Sequence, residues 1–340
     1  MMPERPIPLA AAILSAALLV PSANETRAAD PISLALPLAC EIGKTCFLQN
    51  YVDSDASPKR KDYRCGEQTY DGHDGTDIRV PSVDDQRTGV DVIAAAPGTV
   101  IATRDGVDDV SIRAGSAGSI KGRECGNGVS LRHEDGWVTQ YCHMAKGSIR
   151  VSRGQEVETG APLGRVGLSG NTEFPHLHFS VRHHETKVDP FAYGAEPGSC
   201  GSGGKSLWNE AARAALSYRR GEVINEGFAG NAVTMAQIES GEARRQPPTA
   251  SSPALVAYVR AIGLETGDVL ELSIVAPDGK PFAQQRQPPL DHSKAQFFTM
   301  VGKKRGQTPW PTGTYTAKYN VLRDGKSVLE KSFTFDLPAG

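Results

Sequence analysis

In Phe174-Pro175-His176-Leu177-His178-Phe179-Ser180-Val181 the residues alternate. That alternation predicts a strand sending Leu177, Phe179 and Val181 to one face and His176 and His178 to the other. Two imidazoles side by side on a strand face form half of a metal site. The other half lies upstream in Gly72-His73-Asp74-Gly75-Thr76-Asp77, a histidine and an aspartate four residues apart. These two would share a helix face at i, i+4, but Gly72 and Gly75 make a helix costly and predict a loop that turns both side chains to one point. Zinc favours imidazole nitrogen and carboxylate oxygen, and a catalytic site takes three protein ligands, leaving the fourth position to water. His73, Asp77 and one histidine of the His176/His178 pair complete that set. A third fragment, Tyr141-Cys142-His143-Met144, ends a hairpin read as Val129 to His133, a turn at Asp135-Gly136, and Trp137 to Cys142.

These fragments, in this order, resemble the lysostaphin-type zinc metallopeptidases, the cell-wall endopeptidases of bacteria. The pattern is HxxxD, then a histidine with an aliphatic residue after it, then HxH; here it reads HDGTD, His143-Met144 and HLH. The likeness continues through Ala95-Ala96-Pro97-Gly98-Thr99-Val100, Gly126-Asn127-Gly128-Val129 and the run from Gly154-Gln155 to Gly167-Leu168-Ser169-Gly170, and spans residues 63–192. Carried over residue by residue, it implies that His73, Asp77 and His178 hold one zinc ion and that His143 and His176 are the catalytic, non-ligand histidines. It implies an exported metalloendopeptidase that hydrolyses peptide bonds in peptidoglycan, at stem-peptide cross-links. The chemistry suits the residues: zinc makes water acidic enough to attack near pH 7 and polarises the scissile carbonyl. Two histidines can then divide the acid, base and oxyanion-stabilising tasks, with the base left open between them. Met144 stands for the usual leucine, Ser180 for a common glutamate, and an insertion at about Gly106 to Glu124 lengthens a loop. None removes a ligand, so the departures bear on substrate choice.

Two other functions compete. A non-catalytic activator or wall-binding protein would be favoured by a missing ligand, and none is missing. A peptidase acting on a non-wall protein stays open, because groove walls rather than ligands choose the substrate. The run Val157 to Gly170 also looks like a lipoyl or biotinyl carrier hairpin, but no lysine lies between Lys146 and Lys187 to carry the cofactor. His133 reads as a packing or hydrogen-bonding residue, His183 and His184 as exposed, and His292 as surface.

The chain has 340 residues and a net charge of −2, which gives no long-range attraction to nucleic acid. Residues 1–29 read as a signal peptide, with an apolar run from Leu9 to Val20, small residues after it and cleavage between Ala23 and Ala29. That run is short for a membrane anchor, so a periplasmic or secreted protein with no stable membrane insertion after cleavage is expected. An even set of six cysteines, Cys40, Cys46, Cys65, Cys125, Cys142 and Cys200, predicts disulfides in such a chain. Cys40–Cys46 and Cys125–Cys142 are the two pairings suggested. Strict alternation points Cys142 away from the face bearing His143, which argues against a nucleophile or ligand there.

The expected fold is mostly β: an antiparallel β-sheet metallopeptidase domain at 30–198, a Gly/Ser-rich linker at 199–206, and an immunoglobulin-like β-sandwich accessory domain at 207–340. Leu207 to Tyr218 reads as a short helix. Strands follow from alternation at Leu270-Leu272-Ile274, Tyr315-Ala317-Tyr319-Val321 and Phe333-Phe335-Leu337, with turns at Asp278-Gly279 and Asp324-Gly325. This domain reads as a binding or positioning module whose partner is a glycan, another protein or the catalytic domain. The segment 30–62, with Asn50-Tyr51-Val52-Asp53, is either an arm packed on the catalytic domain or a plug over its groove, the arm being the simpler.

Overall fold

Ten strands build the first half of the molecule: β1 (Phe47–Asn50), β2 (Thr76–Arg79), β3 (Asp91–Ile93), β4 (Gly98–Arg104), β5 (Asn127–Arg132), β6 (Trp137–Met144), β7 (Glu156–Val157), β8 (Pro162–Arg165), β9 (His176–His183) and β10 (Thr186–Val188). The computed structural model describes residues 1–4, 31–114 and 120–338. The segment read as a signal peptide lies outside them after its fourth residue, as does the middle of the inserted loop. β3 and β8 form a ribbon; the others form one sheet in the order β1-β2-β9-β6-β5-β4-β7, with β10 beside β9. Every pairing in it is antiparallel. Alternation works along β9 as read: Leu177, Phe179 and Val181 are fully buried and pack with Ile78, Leu131 and Tyr141 in the core below the sheet. His176 and His178 are left on the opposite face.

At the end of β6 simple alternation fails, and the failure is useful. Tyr141 lies in the core, so a regular strand would bury His143 beside it. Instead the β5–β6 register shifts between Asn127 and Val129, and His143 takes a left-handed φ of 61°. The extra residue is a bulge that returns His143 to the upper face. The expectation that Cys142 points away from that face is therefore overturned. Cys142 stands opposite His178 in register, on the same side, and its sulfur is committed to Cys125.

The second half adds β11 (Glu222–Ala229), β12 (Ala254–Leu264), β13 (Val269–Val275), β14 (Pro281–Arg286), β15 (Lys294–Lys304), β16 (Gly313–Arg323) and β17 (Lys326–Leu337). They form two antiparallel sheets, β11-β12-β15 and β14-β13-β16-β17. Residues of both sheets, such as Leu255 and Ala257 against Ile274, Tyr315 and Ala317, share one core. The burial of β13 alternates as its sequence predicts. Among the described residues four short α-helices decorate the frame: α1 (Val83–Thr88), α2 (Glu210–Ala215), α3 (Met235–Ser240) and α4 (Glu242–Arg245). Among the described residues no helix is long and apolar enough to cross a membrane.

The two halves are not separated by loose chain; residues 31–340 make one compact unit. In the Gly/Ser-rich stretch, Cys200 is bonded to Cys65, and Lys205 exchanges backbone hydrogen bonds with Tyr193 at 2.8 and 2.9 Å. Leu207, Trp208, Ala212 and Leu216, around α2, are buried in the core of the first half. Asn209 caps α2 by accepting from the Ala212 amide. A small apolar cluster of Phe47, Ile224 and Ile262 joins β1 to β11 and β12.

The three disulfides are Cys40–Cys46, Cys125–Cys142 and Cys65–Cys200, and no described cysteine is free. Their sequence separations of 6, 17 and 135 residues set very different loop closures. On chain entropy alone the longest is worth about 5 kcal/mol and the shortest about 2 kcal/mol. Replacing Cys65 and Cys200 together by Ser should therefore lower the thermal midpoint more than replacing Cys40 and Cys46. Calorimetry on both double variants checks this, and the reverse order would show that the long ring adds little.

Candidate active site

Three adjacent strands bring the candidate residues together. β2 lies beside β9 with Asp77 opposite His178 and Arg79 opposite His176, and β6 lies on the other side of β9. His73 sits in the loop just before β2. Gly75 in that loop is required by space, since a Cβ there would fall 2.6 Å from the His178 ring and 2.8 Å from the Phe179 carbonyl. His73, Asp77, His143 and His176 are buried, while the His178 side chain is 12% exposed and opens the site to solvent.

His73 Nε2, Asp77 Oδ1 and His178 Nδ1 form a tight triangle. Its edges are 3.2 Å from His73 to Asp77, 2.9 Å from Asp77 to His178 and 3.2 Å from His178 to His73. Ligands about 2.0–2.1 Å from a tetrahedral zinc ion stand about 3.4 Å apart, so two imidazole nitrogens and a carboxylate oxygen are arrayed as that ion needs them. A second group, His143, His176 and His178, also brings ligand atoms within 4.8 Å of one another. It holds no carboxylate and shares His178, so the triangle containing Asp77 fits a divalent ion better.

Each ring is oriented from behind. The Tyr51 carbonyl only accepts, so His73 Nδ1–H donates to it at 2.6 Å and leaves Nε2 with its lone pair toward the site. His178 Nε2 is paired with Asp74 Oδ1 at 3.2 Å, and Asp74 is held in turn by Arg182 at 3.0 Å, leaving Nδ1 for a metal. Asp77 Oδ2 accepts from Asn50 Nδ2 at 2.9 Å. His143 Nδ1 donates to the Ser169 carbonyl at 2.8 Å and His176 Nδ1 to the Phe174 carbonyl at 2.9 Å. Both therefore present a basic Nε2 to the cleft, with the two rings 4.7 Å apart.

Electrostatics separates the groups. Burial opposes the charge of Asp77, yet the neighbouring His73 and His176 rings, with a hydrogen bond from His178, hold its carboxyl well below the usual carboxylate range. Burial likewise opposes a charged His178, but hydrogen bonds to Asp74 and Asp77 prevail and push it up to about 9. His143 goes the other way: burial, then the neighbouring His176 and His178 rings, push it well below the usual histidine value. A neutral imidazole at pH 7 is what a proton acceptor needs.

All five residues singled out in the sequence, His73, Asp77, His143, His176 and His178, line this one site. The sequence did not single out Asp74, although it directly follows the first ligand, and Asn50 was read only as part of a plug or arm. Asn50 and Tyr51 contact Asp77 and His73 from behind, as an arm would. The Tyr51 and Ser169 carbonyls carry no side-chain signal at all. Among the remaining histidines, His133 bridges the Pro97 carbonyl at 2.6 Å and Thr139 Oγ1 at 2.8 Å, and His183 stacks on Trp137 with ring centroids 4.1 Å apart.

Residues 71–190 match Peptidase family M23. Over 64 residues the chain is 41% identical to the Cell division protein DipM of Caulobacter vibrioides, covering 19% of this chain and 10% of that protein. Over 138 residues it is 30% identical to the Peptidoglycan DD-endopeptidase ShyB of Vibrio cholerae, covering 41% and 26% respectively. Among solved structures, a zinc containing peptidase from Vibrio cholerae is 26% identical with a TM-score of 0.27, covering 43% of this chain and 39% of that one. The chain thus spans about a quarter or less of the curated relatives just given.

Two outcomes test the ligand set. His73→Ala and His178→Ala should lose stoichiometric zinc after dialysis, whereas His143→Ala should keep it, as measured by metal analysis; retained zinc in His178→Ala would remove that residue from the set. The raised pKa of His178 means that its proton stabilises the metal-free fold fully below about pH 6.5 and stops doing so as the pH rises through about 9. Zinc must displace that proton, so its affinity should rise by about tenfold per unit between pH 7 and 8. Competition titrations read this directly, and a flat profile would mean that the proton is absent.

Proposed function

We propose that the chain, whose residues 71–190 match Peptidase family M23, is an exported zinc metalloendopeptidase that hydrolyses peptide bonds in peptidoglycan, at stem-peptide cross-links. The observation that carries the reading is the triangle of His73, Asp77 and His178 beneath the Nε2 atoms of His143 and His176. His73 Nε2, Asp77 Oδ1 and His178 Nδ1 would hold a zinc ion, which when bound would supply Lewis acidity for a peptide carbonyl and for an attacking water near neutral pH. The protein supplies the rest. His143 and His176 are each fixed by a hydrogen bond from Nδ1 to a backbone carbonyl, so one, as neutral imidazole, takes the proton of the attacking water on Nε2 while the other, protonated at Nε2, donates to the developing oxyanion. The proton then passes to the leaving amine.

Peptidoglycan as substrate is supported by relatives named for that polymer, among them the Vibrio cholerae DD-endopeptidase. Action outside the cytoplasm is supported by the apolar run at Leu9 to Val20 and by three disulfides, which persist in oxidising compartments.

Digestion of purified cross-linked peptidoglycan by the oxidised protein, with zinc, with chelator, and by His143→Ala, tests the reading. Mass analysis should show dimeric muropeptides lost with zinc alone, and a rate in His143→Ala at least about a hundredfold lower. Full turnover by His143→Ala would remove that histidine from catalysis. A folded, zinc-loaded protein that released no product would overturn the proposed substrate.

A further inference from the structure

The cleft above the candidate metal site has a volume of about 330 Å³, and its walls come from both halves of the molecule: Asp77, His143 and His176 from the first, Ala295 and Gln296 of β15 from the second. β15 is an edge strand of its sheet and β1 an edge strand of the other. Where the two edges meet, Gln49 Nε2 donates to the Ala295 carbonyl at 2.8 Å.

Gln296 is fixed on every side. Its Oε1 accepts from Arg79 Nη1 at 3.3 Å and from Arg260 Nη1 at 3.4 Å, and its Nε2 donates to Glu239 Oε1 at 2.9 Å. Arg79 belongs to the first half and Arg260 to the second, and both are buried. Arg260 also donates to the Pro81 carbonyl at 2.5 Å and pairs with Glu239 at 3.2 Å. Arg79 has no carboxylate partner among the described residues; it bonds the neutral oxygens of Gln49 and Gln296 and lies 4.4 Å from the centre of the Phe174 ring. Of these two buried cations, Arg260 is paired with a carboxylate, that of Glu239, which Arg113 also approaches at 3.6 Å, and Gln296 is the neutral acceptor between Arg79 and Arg260. Moving the sandwich away would strand buried charge, which is strongly unfavourable, so the wall is rigid.

That network reaches the reacting end of the cleft. Arg79 follows Asp77 by two residues on the same face of β2, and the Phe174 ring above it lies 4.8 Å from the His176 ring. We infer that the sandwich is a fixed wall of the substrate cleft and that Gln296 is a specificity-determining residue, selecting among peptides by the shape and charge they present to β15. The inference rests on the reading of this cleft as a peptide site. The Gln296 amide nitrogen spends one hydrogen on Glu239 and has a second with which to donate to a peptide carboxylate, with two guanidinium groups behind it; an acid at the same place has no such donor.

The test uses the full chain and two linear stem peptides that differ only in one side-chain carboxylate, free in one and amidated in the other. Affinity for each is measured by calorimetry on zinc-loaded protein, and turnover by mass analysis. Gln296→Glu keeps the shape and adds one negative charge, so it should shift the ratio of affinities several-fold against the free carboxylate, with zinc content unchanged. Gln296→Ala should bring the two affinities closer together; Gln296→Glu carries the test alone if the alanine variant does not fold. A merely structural role would weaken both peptides equally, and an unchanged ratio overturns the inference, as does wild-type protein that binds neither peptide. Peptides bound with a variant-dependent ratio but never cleaved would leave the wall standing and remove the hydrolase.

Discussion

A single carboxylate oxygen organises the site. Asp77 Oδ1 lies within 3.4 Å of nitrogens on His73, His176 and His178, in a place almost free of water. An isolated carboxylate there would be severely penalised. It is tolerable because three imidazoles, the Asn50 amide and, when bound, a divalent cation all face it. Those protein partners come from three pieces of chain: His73 from the loop before β2, His176 and His178 from β9, and Asn50 from the arm that ends in β1. Holding that oxygen charged requires the arm, β2 and β9 to meet in one register. Because side chains alternate with a period of two, a slip of one residue between β2 and β9 would send Asp77 to the core and His178 away from it.

Most of this was legible because it depends on local rules. The alternation of β9 and the glycines around His73 place four of the five candidate residues without reference to anything distant. His143 shows where such rules stop: counting along β6 puts it on the wrong face, and only the bulge opposite Gly128 corrects it. A bulge depends on pairing with a neighbouring strand, so period-two counting cannot see it. The backbone carbonyls of Tyr51 and Ser169 were equally invisible, since any residue can supply a carbonyl and position alone makes these two matter.

The β-rich character of the second half was also readable, from β13 and β16, each with one face buried and one polar, and from β17, whose Leu329, Phe333 and Phe335 are half-buried. β12 gave less signal because it is buried on both faces, with α3 and α4 packing Ile238 and Ala243 against Tyr258 on the side away from the sandwich core. Nothing local announces that Arg79 and Arg260, 181 positions apart in sequence, come to share one glutamine. Long polar side chains ordinarily signal surface. Here their burial marks the seam along which two sheets with separate cores become one body.

The bond between Cys65 and Cys200 closes the chain into a covalent ring, and His73, Asp77, His143, His176 and His178 all lie inside it. A single backbone cut anywhere along that ring, such as one in the long inserted loop, would open a circle without setting a fragment free. All five side chains would stay attached to one molecule, and the break would be visible only after reduction. The ring is thus a form of damage tolerance distinct from its effect on folding.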